Sequence, residues 1–551
     1  MRRFWALLIL VLLLACRTLT PAGLISPAPT RLPLPSASPA LSATPLPSPS
    51  LSPSPDPFTP APFPSTPTPF HPYFPAGLPF EVHLHPDGPL SVGDRVSLEV
   101  IAPPGADLKG YKVEVRVDGA QGAMLGPVEF ADFGIGARQQ ATMLWAWDTS
   151  GLDAGPHTLT FSTLPDGPTW KETVSLQPQS AVPPPEPGAH WATAESECCI
   201  AHYITGTEAE RDLPRLLAMA DQQARDVSQK MGAEIKDKLP ITFLPRVLGH
   251  GGFTSNEIAV SYLDRNYAGS TAAFVLHHEI VHMLDSRLGG DLRPTMLVEG
   301  LAVYLTGGHF KPEPLMPRAA ALLPPTSGCR NACGLGQYIP LATLADNFYL
   351  SQHETGYLEA GALVQYMVET WGWQAFSDFY RTIHPQTSGS QAQAIDVALQ
   401  SHFGLTLAEL EKRFLDRLHQ EALTPEKVND VRLTIDFYDT VRRYQQALDP
   451  SAYFLTAWLP DASQMRDKGI VADYLRRPSA PENVALETLL TAADAALRAG
   501  DYVRAQQLLS AVNADLDIFT HSGLEAFSVS SHVQNTLQAQ LERTFNHTGQ
   551  P

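Results

Sequence analysis

One stretch constrains this chain more than any other, residues 274 to 304, F-V-L-H-H-E-I-V-H-M-L-D-S-R-L-G-G-D-L-R-P-T-M-L-V-E-G-L-A-V-Y. His278, Glu279 and His282 form H-E-x-x-H, and a spacing of four is just over one helical turn, so both imidazoles leave the same helix face. Two neutral imidazoles on one face can bind one Zn²⁺, with Glu279 beside the metal. A carboxylate that does not ligate can take a proton from water activated by the ion, which is hydrolytic machinery. His277 lies about 100° around the helix from His278 and is not expected to ligate.

A catalytic zinc needs a third protein donor and an open fourth position. Glu299 is the leading candidate, because it sits in the apolar helical run L-V-E-G-L-A-V-Y, where an unpaired carboxylate is costly to bury. Asp285 and Asp291 are rivals. Asp285 is three residues past His282 and is better placed to hold a ligand histidine from behind than to reach the metal. Leu288 stands where H-x-x-G-x-x-H would place its last histidine, so the metzincin pattern is absent.

H-H-E-I-V-H-M-L-D followed by L-V-E-G-L-A-V-Y resembles the gluzincin clan of zinc metallopeptidases, which includes thermolysin and aminopeptidase N. The resemblance implies His278, His282 and Glu299 as ligands of one zinc per chain and Glu279 as general base. The alternative is a helix whose histidines are satisfied at the surface.

The N-terminus carries two arginines and an apolar run, F-W-A-L-L-I-L-V-L-L-L-A, too short to span a bilayer and readable as a signal peptide ending at Cys16. L-L-A-C resembles a bacterial lipobox, which implies lipid on Cys16 and attachment to a membrane outside the cytoplasm; the alternative is an ordinary signal peptide and a secreted product. Residues 17–77 are almost wholly Pro, Ser, Thr, Ala and Leu. Such a segment cannot bury a core and favours extended polyproline conformations, reaching somewhat under 200 Å at about 3.1 Å per residue.

From 78 to 180, short alternating runs such as R-V-S-L-E-V-I, Y-K-V-E-V-R-V and H-T-L-T-F are separated by Gly, Pro and Asp turns. About seven strands in about a hundred residues predict an immunoglobulin-like or fibronectin-like sandwich. Nothing in it looks catalytic, and it reads as a spacer or, less readily, a module that presents substrate.

The catalytic domain is expected over 190–420, with an α+β zincin-like fold. Glu257 to Tyr262 alternates polar and apolar residues, as a half-exposed strand does. In gluzincins the corresponding edge strand pairs with substrate backbone, so the resemblance implies substrate binding by Glu257, Ile258, Ala259 and Val260. Beyond the ligand helix, G-Y-L-E-A-G-A-L-V-Q-Y-M resembles the Y-x-x-A-G-x-F-V-x-Y-L stretch of such enzymes. A developing oxyanion needs a donor besides the metal, and Tyr357 is the candidate, with Tyr366 and His353 in reserve.

Residues 424–540 are helical in pattern, starting with Thr424, Pro425 and Glu426. A-A-D-A-A-L-R-A-G-D-Y-V-R-A-Q-Q-L-L-S-A-V resembles a single tetratricopeptide-like hairpin, without the further copies a repeat array needs. With 551 residues, 50 prolines and net charge −19, this is an acidic multi-domain chain for which nucleic acid is not an expected partner. Outside the cytoplasm Cys198, Cys199, Cys329 and Cys333 suggest disulfides of open connectivity; C-x-x-x-C at Cys329 also admits a metal. The expected function is zinc-dependent hydrolysis of peptide bonds at the cell surface. Endopeptidase action is preferred because no G-x-M-E-N segment, which captures a free N-terminus, precedes the metal helix. The alternative from another class is a surface binding or adhesion lipoprotein with an inactive peptidase-like fold.

Overall fold

The computed structural model describes residues 80–522 apart from 310, 326–328, 330, 331, 351 and 352. All of these belong to one compact unit, Phe70–Pro551. The leader, Cys16, the stalk, the end of the expected helical tail and the side chain of His353 lie outside the described residues.

The first nine strands are β1 (Glu81–His85), β2 (Leu90–Ser91), β3 (Arg95–Ile101), β4 (Lys112–Val117), β5 (Met124–Glu129), β6 (Ala131–Phe133), β7 (Arg138–Asp148), β8 (Gly155–Leu164) and β9 (Thr169–Gln177). They make two sheets, ordered β1-β3-β7-β6 and β2-β9-β8-β4-β5. Alternate residues from both, among them Val96, Leu98, Val113, Val115, Leu159 and Phe161, close one apolar core between them.

A mixed sheet follows, built from β10 (Trp191–Glu195), β11 (Cys199–Ile204), β12 (Leu239–Leu244), β13 (Gly252–Thr254) and β14 (Ile258–Ser261) in the order β10-β11-β12-β14-β13. Strands β11, β12 and β14 run parallel, and β10 and β13 flank them antiparallel. Ile258 and Val260 face the layer holding helices α1 (Leu213–Met231), α2 (Ala272–Asp285) and α3 (Thr295–Thr306), while Ala259 faces a second layer with Met465 and Tyr474.

That placement corrects the expectation for Glu257, Ile258, Ala259 and Val260. β14 is covered on both faces and hydrogen-bonded on both sides, by β12 and by β13, so it has no free edge for a substrate backbone. Glu257 turns to Arg466, 2.8 Å away, and to the hydroxyl of Thr242. The edge strand is β13, and the local alternation around β14 concealed the layer that covers its second face.

Helix α4 (His353–Trp371) lies against α3. A Cβ on Gly300 would meet the carbonyl oxygen of Ala360 at 2.5 Å, and one on Gly361 would meet Val303 Cγ1 at 2.4 Å. Two glycines facing across the contact are therefore what lets these helices approach, and the approach carries Tyr357 to the metal helix. Helices α5 (Pro425–Leu448), α6 (Pro481–Arg498) and α7 (Tyr502–Ser522) form a separate apolar cluster over Val247, Leu263 and Tyr267 of the catalytic region.

The sandwich is not a loose spacer. Arg246, 1% exposed at the end of β12, donates to Asp87 of the sandwich at 2.9 Å and to Asp449 and Ser451 at 3.3 and 2.7 Å. Arg476 spans Asp94 and Glu186, and His85 stacks on Trp458 with centroids 3.9 Å apart. The cysteines pair as Cys198–Cys199 and Cys329–Cys333. Among the described residues no helix is long and apolar enough to cross a membrane.

Candidate metal centre

Helix α2 begins at Thr271, whose hydroxyl accepts from the Phe274 amide at 3.3 Å. Leu276, Ile280, Val281 and Leu284 bury one face in the core, which turns His278, Glu279 and His282 into a cavity of about 500 Å³. His277 points elsewhere. Its Nδ1 lies 2.8 Å from Gln223 Oε1, and burial, then Lys230, push its pKa down to about 4.

Glu299 reaches the two histidines from α3. Its Oε2 is 3.2 Å from His278 Nε2 and 3.3 Å from His282 Nε2, and all three donor atoms lie within 4.8 Å of one another. A tetrahedral ion with ligand bonds of about 2.0–2.1 Å holds its donors about 3.3 Å apart, so two imidazoles and a carboxylate at these distances fit zinc. Asp291 is not among them: it is exposed and 2.9 Å from His384.

The electrostatics fit the same reading. Burial works against the Glu299 carboxylate, but His282 and His278 outweigh it and hold its pKa well below the usual range. Burial also opposes charge on His282, yet Glu299, Glu279 and Asp285 raise it to about 9, whereas burial takes His278 down to about 4. Glu279, 6% exposed, is pushed up to about 7 by burial, with His282 and Thr254 opposing.

Asp285 is fully buried and accepts from Arg293 and from the Tyr380 hydroxyl, each at 3.0 Å on Oδ2. Its Oδ1 and His282 Nδ1 are both buried without a hydrogen-bond partner in the described structure. Coordination through Nε2 leaves the proton of His282 on Nδ1, where it needs such an acceptor.

Tyr357, 6% exposed, lines the cavity with its ring stacked 4.1 Å over His309 and 6.3 Å from His278. Tyr366 packs on Trp371 and Phe414 and does not line it.

Four contributors had no signal in the sequence. Thr254 of β13 donates to Glu279 Oε2 at 2.8 Å, and a Cβ on Gly252 would stand 3.0 Å from Glu279 Oε1 and 2.3 Å from Val275 Cγ1. The Tyr349 hydroxyl donates to Glu299 Oε1 at 2.6 Å. His309 Nδ1 lies 2.8 Å from Glu354, which is fully buried. Ile135 comes from the sandwich. The G-H-G-G-F-T run that ends in β13 can be read in the sequence, but not that its threonine reaches the metal helix.

No protein-family model and no curated protein matches the chain. Solved structures resemble it, zinc metallopeptidases among them. An M1 zinc metallopeptidase from Deinococcus radiodurans is 13% identical, with 63% of this chain and 93% of that one covered and a TM-score of 0.29. A two-domain M1 zinc metallopeptidase mutant bound to L-arginine is 14% identical over 63% and 94%, with a TM-score of 0.26. At such low scores these likenesses decide neither fold detail nor chemistry; the donor set has to.

Proposed function

We propose that the chain is a zinc-dependent peptidase of gluzincin type that cleaves within unstructured polypeptides. The observation that carries this reading is the convergence of His278, His282 and Glu299 at zinc-donor distances with Glu279 beside them. Zinc held by those three residues supplies Lewis acidity to water and to the scissile carbonyl. Glu279 takes the proton of the attacking water and returns it to the leaving amine. Thr254 fixes which way the Glu279 carboxylate points, and Tyr349 does the same for Glu299. Tyr357 donates to the oxygen that becomes negative. The outer edge of β13 offers backbone groups to an extended peptide.

Among the described residues that line the cleft, the carboxylates are Glu279 and Glu299. Both are given the base and ligand roles, and among the described lining residues no third acid is left to hold a free ammonium, which supports internal cleavage over aminopeptidase action. Zinc-loaded full-length protein should cut an N-terminally acetylated unstructured polypeptide at internal bonds and lose that action with a chelator; release of single residues from free N-termini alone would contradict the internal-cleavage reading.

The same proposal places the enzyme outside the cytoplasm, tethered by lipid on Cys16 through the Pro-rich stalk. The L-L-A-C context supports it. Fatty-acid labelling should mark the wild type and not Cys16→Ser; a product released from both versions would contradict it.

A further inference from the structure

The turn between β6 and β7 reads Gly134-Ile135-Gly136-Ala137. Ile135 is 44% exposed, and a lone exposed aliphatic needs no explanation by itself. Its position does, because it lines the same cavity as His278, Glu279 and His282 although it belongs to the sandwich.

The turn is held at both ends. At its tip the Gly136 amide donates to the carbonyl of Leu455 at 2.9 Å. Gly134 adopts φ +67°, and a Cβ there would stand 2.4 Å from that same oxygen. At its base Arg138 donates to Gln140 at 2.8 Å and pairs at 3.3 Å with Glu99, which is buried. Ile135 is therefore presented by a preorganised turn.

The segment to which the tip is pinned carries Phe454, which lines the cavity as well. Its ring stacks on His250 with centroids 3.8 Å apart, His250 meets Tyr357 at 6.3 Å, and Tyr357 meets the ligand His278 at 6.3 Å. Ring contacts thus lead from Phe454 to the metal centre, and Ile135 and Phe454, which line the same cavity, offer it carbon and no hydrogen-bonding side-chain atom.

Resting on the peptidase reading, we propose that the β-sandwich completes the substrate cleft and that Ile135 and Phe454 form an apolar subsite for a bulky aliphatic or aromatic side chain close to the scissile bond. The sandwich is then a determinant of specificity, and selectivity is a property of the docked pair of domains.

The test uses full-length, zinc-loaded protein and two peptides identical except for Leu or Gly beside the cleaved bond. Wild type should favour the Leu peptide. Ile135→Ala should lower the Leu-to-Gly ratio of kcat/KM about tenfold and Ile135→Asp by more, with melting temperatures unchanged, while Met124→Ala, an exposed apolar change elsewhere on the sandwich, should leave the ratio alone. No Leu preference in wild type, or one that survives both Ile135 variants, overturns the subsite. Binding of a fluorescent Leu peptide separates this from the parent reading. If wild type cleaves neither peptide, the peptidase reading fails; loss of binding in Ile135→Asp would still sustain the subsite, and retained binding would overturn it.

Discussion

At the junction of the sandwich with the mixed sheet, Arg246 is buried among Asp87, Asp449 and Ser451. A similar cluster gathers Glu313, Glu354 and Asp430 around Arg318 behind the cleft. In the cleft, Glu279 and Glu299 are as deeply buried, but among the described residues neither pairs with Arg or Lys; Glu299 meets two imidazoles. Carboxylates closed around a guanidinium have their counter-charge built into the chain, whereas a carboxylate closed around two imidazoles leaves room for a cation to come from outside. The first arrangement holds the chain's own elements together, and the second is the arrangement a metal site needs.

The comparison breaks most completely at Glu299. Glu299→Ala should lose zinc, measured by elemental analysis, and with it all cleavage; retained zinc would reassign the third ligand. Arg246→Met should leave zinc content in the folded protein unchanged but lower stability by about 3–5 kcal/mol in urea unfolding, because buried Asp449 and half-buried Asp87 lose their partner. Tyr357→Phe should lower kcat by about 10²–10³ with little change in KM. A drop of about 1 kcal/mol in stability with normal kcat would instead make Tyr357 a core residue. Asp285→Ala should keep zinc with affinity reduced about 10–100-fold.

Proton release sharpens the same contrast. In metal-stripped protein His282, raised to about 9, carries a proton at pH 7–8. Zinc needs that lone pair, so binding should release about one proton per ion below about pH 9 and none well above it. Titration calorimetry in buffers of different ionisation heat measures this, and release that does not change across that pH would contradict the charged pair.

The clustering of His278, His282 and Glu299 was legible because one helical turn brings the two histidines together and an acid in an apolar helix demands a cation. Those arguments need only local spacing. The sandwich strands were legible for a like reason, through alternation between turns. What failed needed tertiary information. Glu257 to Tyr262 alternates as a half-exposed strand does, but Glu257 is polar because it meets Arg466, and the layer covering Ala259 comes from residues some two hundred positions later. Thr254, Tyr349 and His309 act through partners on other elements, so nothing beside them in sequence marks them. Ile135 sits in a turn that looks like any connection until Leu455 is seen against it.

The central claim is that Glu279 moves the proton in a zinc-dependent hydrolysis. Glu279→Gln keeps size and shape and removes the base, so the direct measurement is cleavage of an unstructured polypeptide by this variant beside its zinc content. Glu279→Gln should keep full zinc occupancy with turnover lowered by at least about 10³. Near-normal turnover with zinc bound would contradict it.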